Sequence, residues 1–351
     1  MSENEINDIS GSEHGARDIK VSVPKDKETA EAKGKGPPAR KDTEQESLSN
    51  MAKAETEPIS NGNGLSNTQK NFPDNAQPLE PTSFPNQRAS GSGVILPSTI
   101  ANVRHLLRSY DISVRYDVIK KKMKTVIPGL TGCPDNVDNS AITQIISLAS
   151  LNCLPIGQIP SYVEVIGDAH PVNPVADWIT GREWDGDSRL SQFYETLVER
   201  EDYPGPLKEI LMYRWLLSAV AAALKPSGFR ARGVLTIQGP QSIGKTAWVS
   251  ALVPDSILRD EVVLLDHHLD AGNKDSLVSA ISHWIVEIGE LDGSFKKDIA
   301  RLKGVITGDR DKVRRPYAKA DSEYQRRTVF CATVNDAHFL VDDTGNTRWW
   351  T

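Results

Sequence analysis

The chain has 351 residues, a net charge of −6 at neutral pH, 38% hydrophobic residues and 25% charged ones. That length gives room for about two domains. The acidic balance argues against a protein that coats DNA by uniform positive charge, though an acidic ring with a basic channel stays open.

Residues 1–93 are rich in Ser, Asn, Glu, Lys, Gly and Pro, with Phe72 and Phe84 as their only aromatics. Such a segment buries too little apolar surface to offset its ordering entropy, so a disordered polar segment is expected. It has no apolar core for a secretory signal. Structure is expected from Val94, past the flexible Gly91-Ser92-Gly93.

Residues 94–200 read as a mainly helical accessory region. A helix is expected over 98–109, and 115–119 with 124–127 form a candidate hairpin. Ile142, Ile145, Ile146 and Ala149 have helical spacing over 139–151, with Asp138 as a candidate cap. Residues 170–174 are extended, because each proline disfavours helix in the residue before it. Helices over 175–180 and 189–198 flank a turn at Trp184-Asp185-Gly186.

Residues 201–351 read as a P-loop ATPase core. A helix over 206–224 ends at Lys225-Pro226-Ser227-Gly228. Its most apolar part, 215–224, is shorter than the roughly 20 residues a membrane span needs. With three scattered cysteines (Cys133, Cys153, Cys331) and no histidines at ligand spacing, a cytoplasmic protein without a zinc site or membrane is expected. A strand over 233–238, a glycine loop and a helix over 245–252 follow. A helix over 275–281 precedes a strand over 283–288, and another strand covers 328–334. Strands alternating with helices predict an α/β core, a parallel sheet flanked by helices.

Gly239-Pro240-Gln241-Ser242-Ile243-Gly244-Lys245-Thr246 matches G-x-x-x-x-G-K-T at every fixed position. Glycines let the backbone curl so that successive N–H groups face phosphate oxygens, and the following helix adds its positive end. Lys245 is placed to reach the β- and γ-phosphates of ATP, and Thr246 to hold Mg²⁺.

Glu287 interrupts the apolar strand over 283–288 and Glu290 follows it. Either is a candidate to hold Mg²⁺ or to prepare the attacking water, and their spacing leaves the two roles open. Asn335 ends the next strand and is equally a γ-phosphate or water contact and a turn residue. Arg310, Arg314, Arg315, Arg326, Arg327 and Arg348 are candidates to neutralise phosphoryl-transfer charge or DNA phosphates.

In this order the segments resemble the virulence-associated protein E family, P-loop proteins of phages and prophages related to superfamily 3 helicases in the AAA+ class. The resemblance runs from His170 to Thr351. It is carried by His170-Pro171-Val172, Trp184-Asp185-Gly186 with Arg189-Leu190, the loop with Ser242 where glycine is usual, and Trp284 to Leu291. It continues through Asp311, Arg314, Pro316 and Tyr317, then Arg326, Thr333 to Asn335, and Leu340 to Trp350 with Trp349 in place of Phe.

The resemblance implies Glu287 and Glu290 as the acidic pair, Asn335 as sensor, and Arg314, Arg326 and Arg348 as functional arginines. It further implies ATP hydrolysis coupled to DNA replication initiation or unwinding, in a homo-oligomer, a hexamer, acting on single-stranded DNA through its channel. The family continues past the point where this chain stops, which implies a truncated copy. Two other readings are a nucleotide-binding switch or scaffold with little turnover, and an inactive copy. A small-molecule kinase is disfavoured because no substrate lid is apparent.

Overall fold

The computed structural model describes residues 73, 75–91, 93–130, 136–289, 299–313, 322–335 and 347–351, all within one compact unit, Leu65–Thr351. Strand β1 (Arg88–Ser90) pairs antiparallel with β2 (Gly93–Ile95). Helix α1 (Ile100–Ser109) starts at Thr99, whose side chain accepts from the Asn102 amide. Strands β3 (Ser113–Asp117) and β4 (Lys122–Val126) form an antiparallel pair. Helices α2 (Val137–Leu151) and α3 (Ile159–Asp168) follow, and β5 (Pro171–Val172) joins β3 in parallel. Val103, Leu106, Ile145, Leu148, Ile159 and Val163 fill the core of this layer.

The accessory layer carries the expected helices together with one the sequence did not announce, α3, and the hairpin sits about two residues upstream of its expected place. Structure also begins before Val94. Phe84, 1% exposed, packs edge-on against His105 with ring centroids 4.9 Å apart. The expected cap of α2, Asp138, lies in the helix's first turn instead and pairs with Lys122 at 2.7 Å.

Helices α4 (Pro174–Thr180), α5 (Leu190–Glu195) and α6 (Gly205–Leu224) lead into the second layer. There β6 (Val234–Gln238), α7 (Lys245–Ala251), α8 (Ser256–Val262), β7 (Val263–His267), α9 (Lys274–Ile281), β8 (Ile285–Ile288) and α10 (Ile299–Ile306) follow one another. A hairpin of β9 (Arg310–Val313) and β10 (Ser322–Gln325), then β11 (Val329–Val334) and β12 (Trp349–Trp350), complete the described chain. The five core strands run parallel in the order β12-β6-β11-β8-β7. This is the expected α/β sheet flanked by helices.

Side chains alternate across a strand. Val329 and Cys331 therefore join the core formed with α6, α7 and α8, while Phe330, Ala332 and Val334 join the core on the other face with α10. Buried indoles are satisfied: Trp215 donates to the Phe330 carbonyl and Trp284 to that of Ala219, each at 2.8 Å. Among the described residues no helix is long and apolar enough to cross a membrane.

Candidate functional site

The loop leaves β6 at the carboxyl edge of the sheet. The Gly239 amide donates to the Val334 carbonyl at 3.1 Å, which ties the loop to β11. Two residues curl it through the left-handed region, Ser242 (φ 65°) and Gly244 (φ 93°). Glycine adopts that conformation freely and serine does not. Ile243 of the loop is 60% exposed.

Because β11 lies between β6 and β8, the residue that follows it reaches the loop directly. The Lys245 ammonium donates to Asn335 Oδ1 at 2.8 Å, to the Gly239 carbonyl at 2.8 Å and to the Pro240 carbonyl at 2.7 Å. An ammonium has three donors, and all three are engaged. Partial burial lowers the Lys245 pKa, and the Glu287 charge opposes that shift.

Strand alternation puts Glu287 and Thr333 on the sheet face that α7 covers. Glu287 is completely buried. Its Oε1 accepts from the hydroxyls of Thr246 and Thr333, each at 2.7 Å, and its Oε2 accepts from the Asp266 amide at 3.2 Å. Burial is tolerable because both carboxylate oxygens are hydrogen-bonded. Cys331 stands opposite Glu287 in the register, and burial together with the Glu287 charge pushes its thiol pKa well above the usual range.

Asp266, the penultimate residue of β7, meets the Glu287 carboxylate through its backbone amide and was missed in the sequence, although it follows the apolar run Val262 to Leu265. Its backbone is left-handed (φ 51°), and its carboxylate packs against Gly289. A Cβ at Gly289 would fall 2.0 Å from Asp266 Oδ1 and 3.1 Å from its Cα, so any side chain there must displace the Asp266 carboxylate and press on its backbone.

The expected arginines separate. Arg326 is 1% exposed and forms a bidentate ion pair with Asp311; its Nη1 also donates to the Val305 carbonyl at 2.8 Å. A guanidinium committed to this buried pair has its donors engaged by protein groups other than those of the loop. Arg348 precedes β12 and its carbonyl accepts from the Val234 amide, at the amino edge of the sheet. The length of β6 puts it roughly 17 Å from the loop at ~3.3 Å per residue. Glu290 and Arg314 lie outside the described residues.

Beside the loop lies a cavity of about 920 Å³ bounded by residues 196–200, Asp202, Tyr203, Trp248 and Trp350. The Trp248 indole donates to Thr196 Oγ1 at 2.8 Å. Trp350 lies on Gly233, where a Cβ would meet the indole at 2.1 Å. Tyr203 donates to the Thr351 carbonyl at 2.5 Å and closes the far wall.

The virulence-associated protein E-like domain model matches residues 179–351. No curated protein matches the chain. Among solved structures, three apo forms of the NrS-1 C-terminal region match at 15%, 16% and 14% identity, with TM-scores of 0.35, 0.36 and 0.36. Each match covers 70% of this chain and 60%, 59% and 60% of those chains, so the chain spans less than two thirds of their length.

Proposed function

Residues 179–351 are a virulence-associated protein E-like domain, and from that premise we propose that the chain binds ATP with Mg²⁺ at the carboxyl edge of its sheet and hydrolyses it as part of an oligomeric, DNA-acting motor. The observation that supports this reading best is a convergence from two strands, β8 and β11, on the start of helix α7. Lys245 meets Asn335 and Thr246 meets Glu287, with hydrogen bonds of 2.8 and 2.7 Å.

Binding requires Lys245 to exchange the Gly239 and Pro240 carbonyls for phosphate oxygens. Asn335, already in contact with that ammonium, then lies beside the γ-phosphate as a sensor. Thr246 and Glu287 offer hard oxygen donors. That donor set fits Mg²⁺, which binds through one or two protein oxygens plus waters and phosphates. When bound, the ion supplies charge neutralisation on the phosphates.

Glu287 accepts three hydrogen bonds at zero exposure, which favours a holding role for it. Preparation of the water then falls to Glu290. Charge compensation at the transferred phosphoryl falls to a neighbouring subunit's Arg314 or Arg348. Residues 94–200 act as an accessory region to the ATPase core at 201–351.

A second reading is a nucleotide-dependent switch with little turnover. It draws support from Arg326 and Arg348, neither of which reaches the loop of its own chain. Native mass measurement with ATP and single-stranded DNA separates the two. Rings, hexamers foremost, that appear with nucleotide and turn it over support the motor. A monomer that binds ATP without turnover supports the switch.

A further inference from the structure

A second cavity, of about 580 Å³, lies in the accessory layer between α1, the end of α3 and β3. Its floor is apolar, formed by Leu107, Ile112 and Ile166, and its rim carries Arg104, Arg108, Arg115 and His170. Among the described residues no carboxylate lines it. Strand β5 runs beside β3 only at Tyr116 and Asp117, so the cavity opens along the Ser113–Arg115 stretch of that edge.

The charge arrangement is costly for folding alone. Arg104 and Arg108 are four apart on α1, and like charges at that spacing destabilise a helix by a few tenths of a kcal/mol. Arg115 stands directly across from Lys124, an opposed like-charge pair that is also unfavourable. Lys124 is drawn to Glu261 at 3.3 Å. None of the three arginine side chains has a hydrogen-bond or ion-pair partner among the described residues. Three unpaired guanidiniums around one cavity recognise phosphate, for which their forked donors are matched.

We propose that this groove is a binding site for the phosphodiester backbone of single-stranded DNA, separate from the nucleotide loop. The apolar floor of Leu107, Ile112 and Ile166 offers a surface for the sugar and base faces of an unpaired strand, which a duplex keeps stacked inside. The contacts are to backbone, so binding is independent of sequence.

The test is fluorescence anisotropy of a labelled oligothymidine with the full chain, without nucleotide, over a salt series. Each phosphate contact adds about 0.7 to the slope of log affinity against log salt for a single strand. Changing Arg104, Arg108 and Arg115 together to Gln lowers that slope by about 2 and weakens binding at least ~10-fold near 0.1 M salt. Changing the same three to Lys retains most of the slope, and Arg189→Gln, at an exposed arginine paired with Asp185 that does not line the groove, leaves binding at the wild-type level. Should the triple Gln chain fail to fold, the exposed Arg108→Gln alone lowers the slope by about 0.7.

An unchanged slope in folded Gln variants, or a wild-type chain that does not bind the strand, overturns the proposal. Tripolyphosphate is the small-anion comparison. If the Gln variants lose tripolyphosphate binding yet keep the strand, the groove is a small-anion site and the proposal is wrong.

Discussion

Replacing Thr333 by valine removes one hydroxyl while keeping the shape of the side chain. That hydroxyl donates to Glu287 Oε1 at 2.7 Å, in a place where Glu287 has no solvent to turn to. A hydrogen bond to a buried charged group is worth about 1.5–3 kcal/mol. The variant should therefore lose about 2 kcal/mol of unfolding free energy, or ~4–8 °C in melting temperature for a domain of this size. Thr333→Ser keeps the donor and should recover most of the loss. Urea unfolding followed by tryptophan fluorescence reads both. A Thr333→Val chain within about 0.5 kcal/mol of wild type, the scatter of neutral surface changes, would refute the view that Glu287 is held by a closed set of donors.

Ser242→Gly removes a left-handed serine that costs roughly 1 kcal/mol in the folded, nucleotide-free chain, so the variant should not be less stable than wild type and ATP affinity should change little; a clearly lower urea midpoint would count against this. Gly289→Ala forces the Asp266 turn aside and with it the Asp266 amide bond to Glu287, for a loss of about 1–3 kcal/mol; a wild-type urea midpoint would contradict the close approach. His283 is pushed down to about 4 by burial and then by the Lys120 charge. The unfolded chain therefore binds more protons between about pH 4 and 6.5, and the stability this histidine contributes above that window is lost as pH falls through it. His283→Gln should flatten that part of the acid unfolding curve, and an unchanged curve would show that other groups set it.

The nucleotide loop was readable because its glycines, lysine and threonine are constrained by phosphate chemistry and flanked by a change of hydrophobic period. Glu287 was readable because a carboxylate inside an apolar strand is costly without a role. The neighbouring carboxylate Asp266 was missed for a local reason. Helix α8 passes straight into β7 at Val262–Val263 with no glycine or proline between them, so no strand was delimited and Asp266, its penultimate residue, had no special place. Strand β12 has two residues, too few for periodicity.

Arginines were the hardest group to sort. Whether Arg326 meets a phosphate or a buried aspartate depends on the β9–β10 hairpin, which carries Asp311 under it. Nothing in the spacing of Asp311 and Arg326 announces that pairing. Phe84 shows the same limit in the polar N-terminal stretch, since a lone aromatic has no pattern until α1 gives it His105 to pack against.

The most direct test of the central claim is steady-state ATP hydrolysis by the full chain with Mg²⁺, across a range of protein concentrations, for wild type and Lys245→Ala. The account predicts turnover that rises more steeply than linearly with wild-type concentration, as neighbours complete each other's sites, and that falls at least ~100-fold in the variant. Turnover that persists in Lys245→Ala would contradict it.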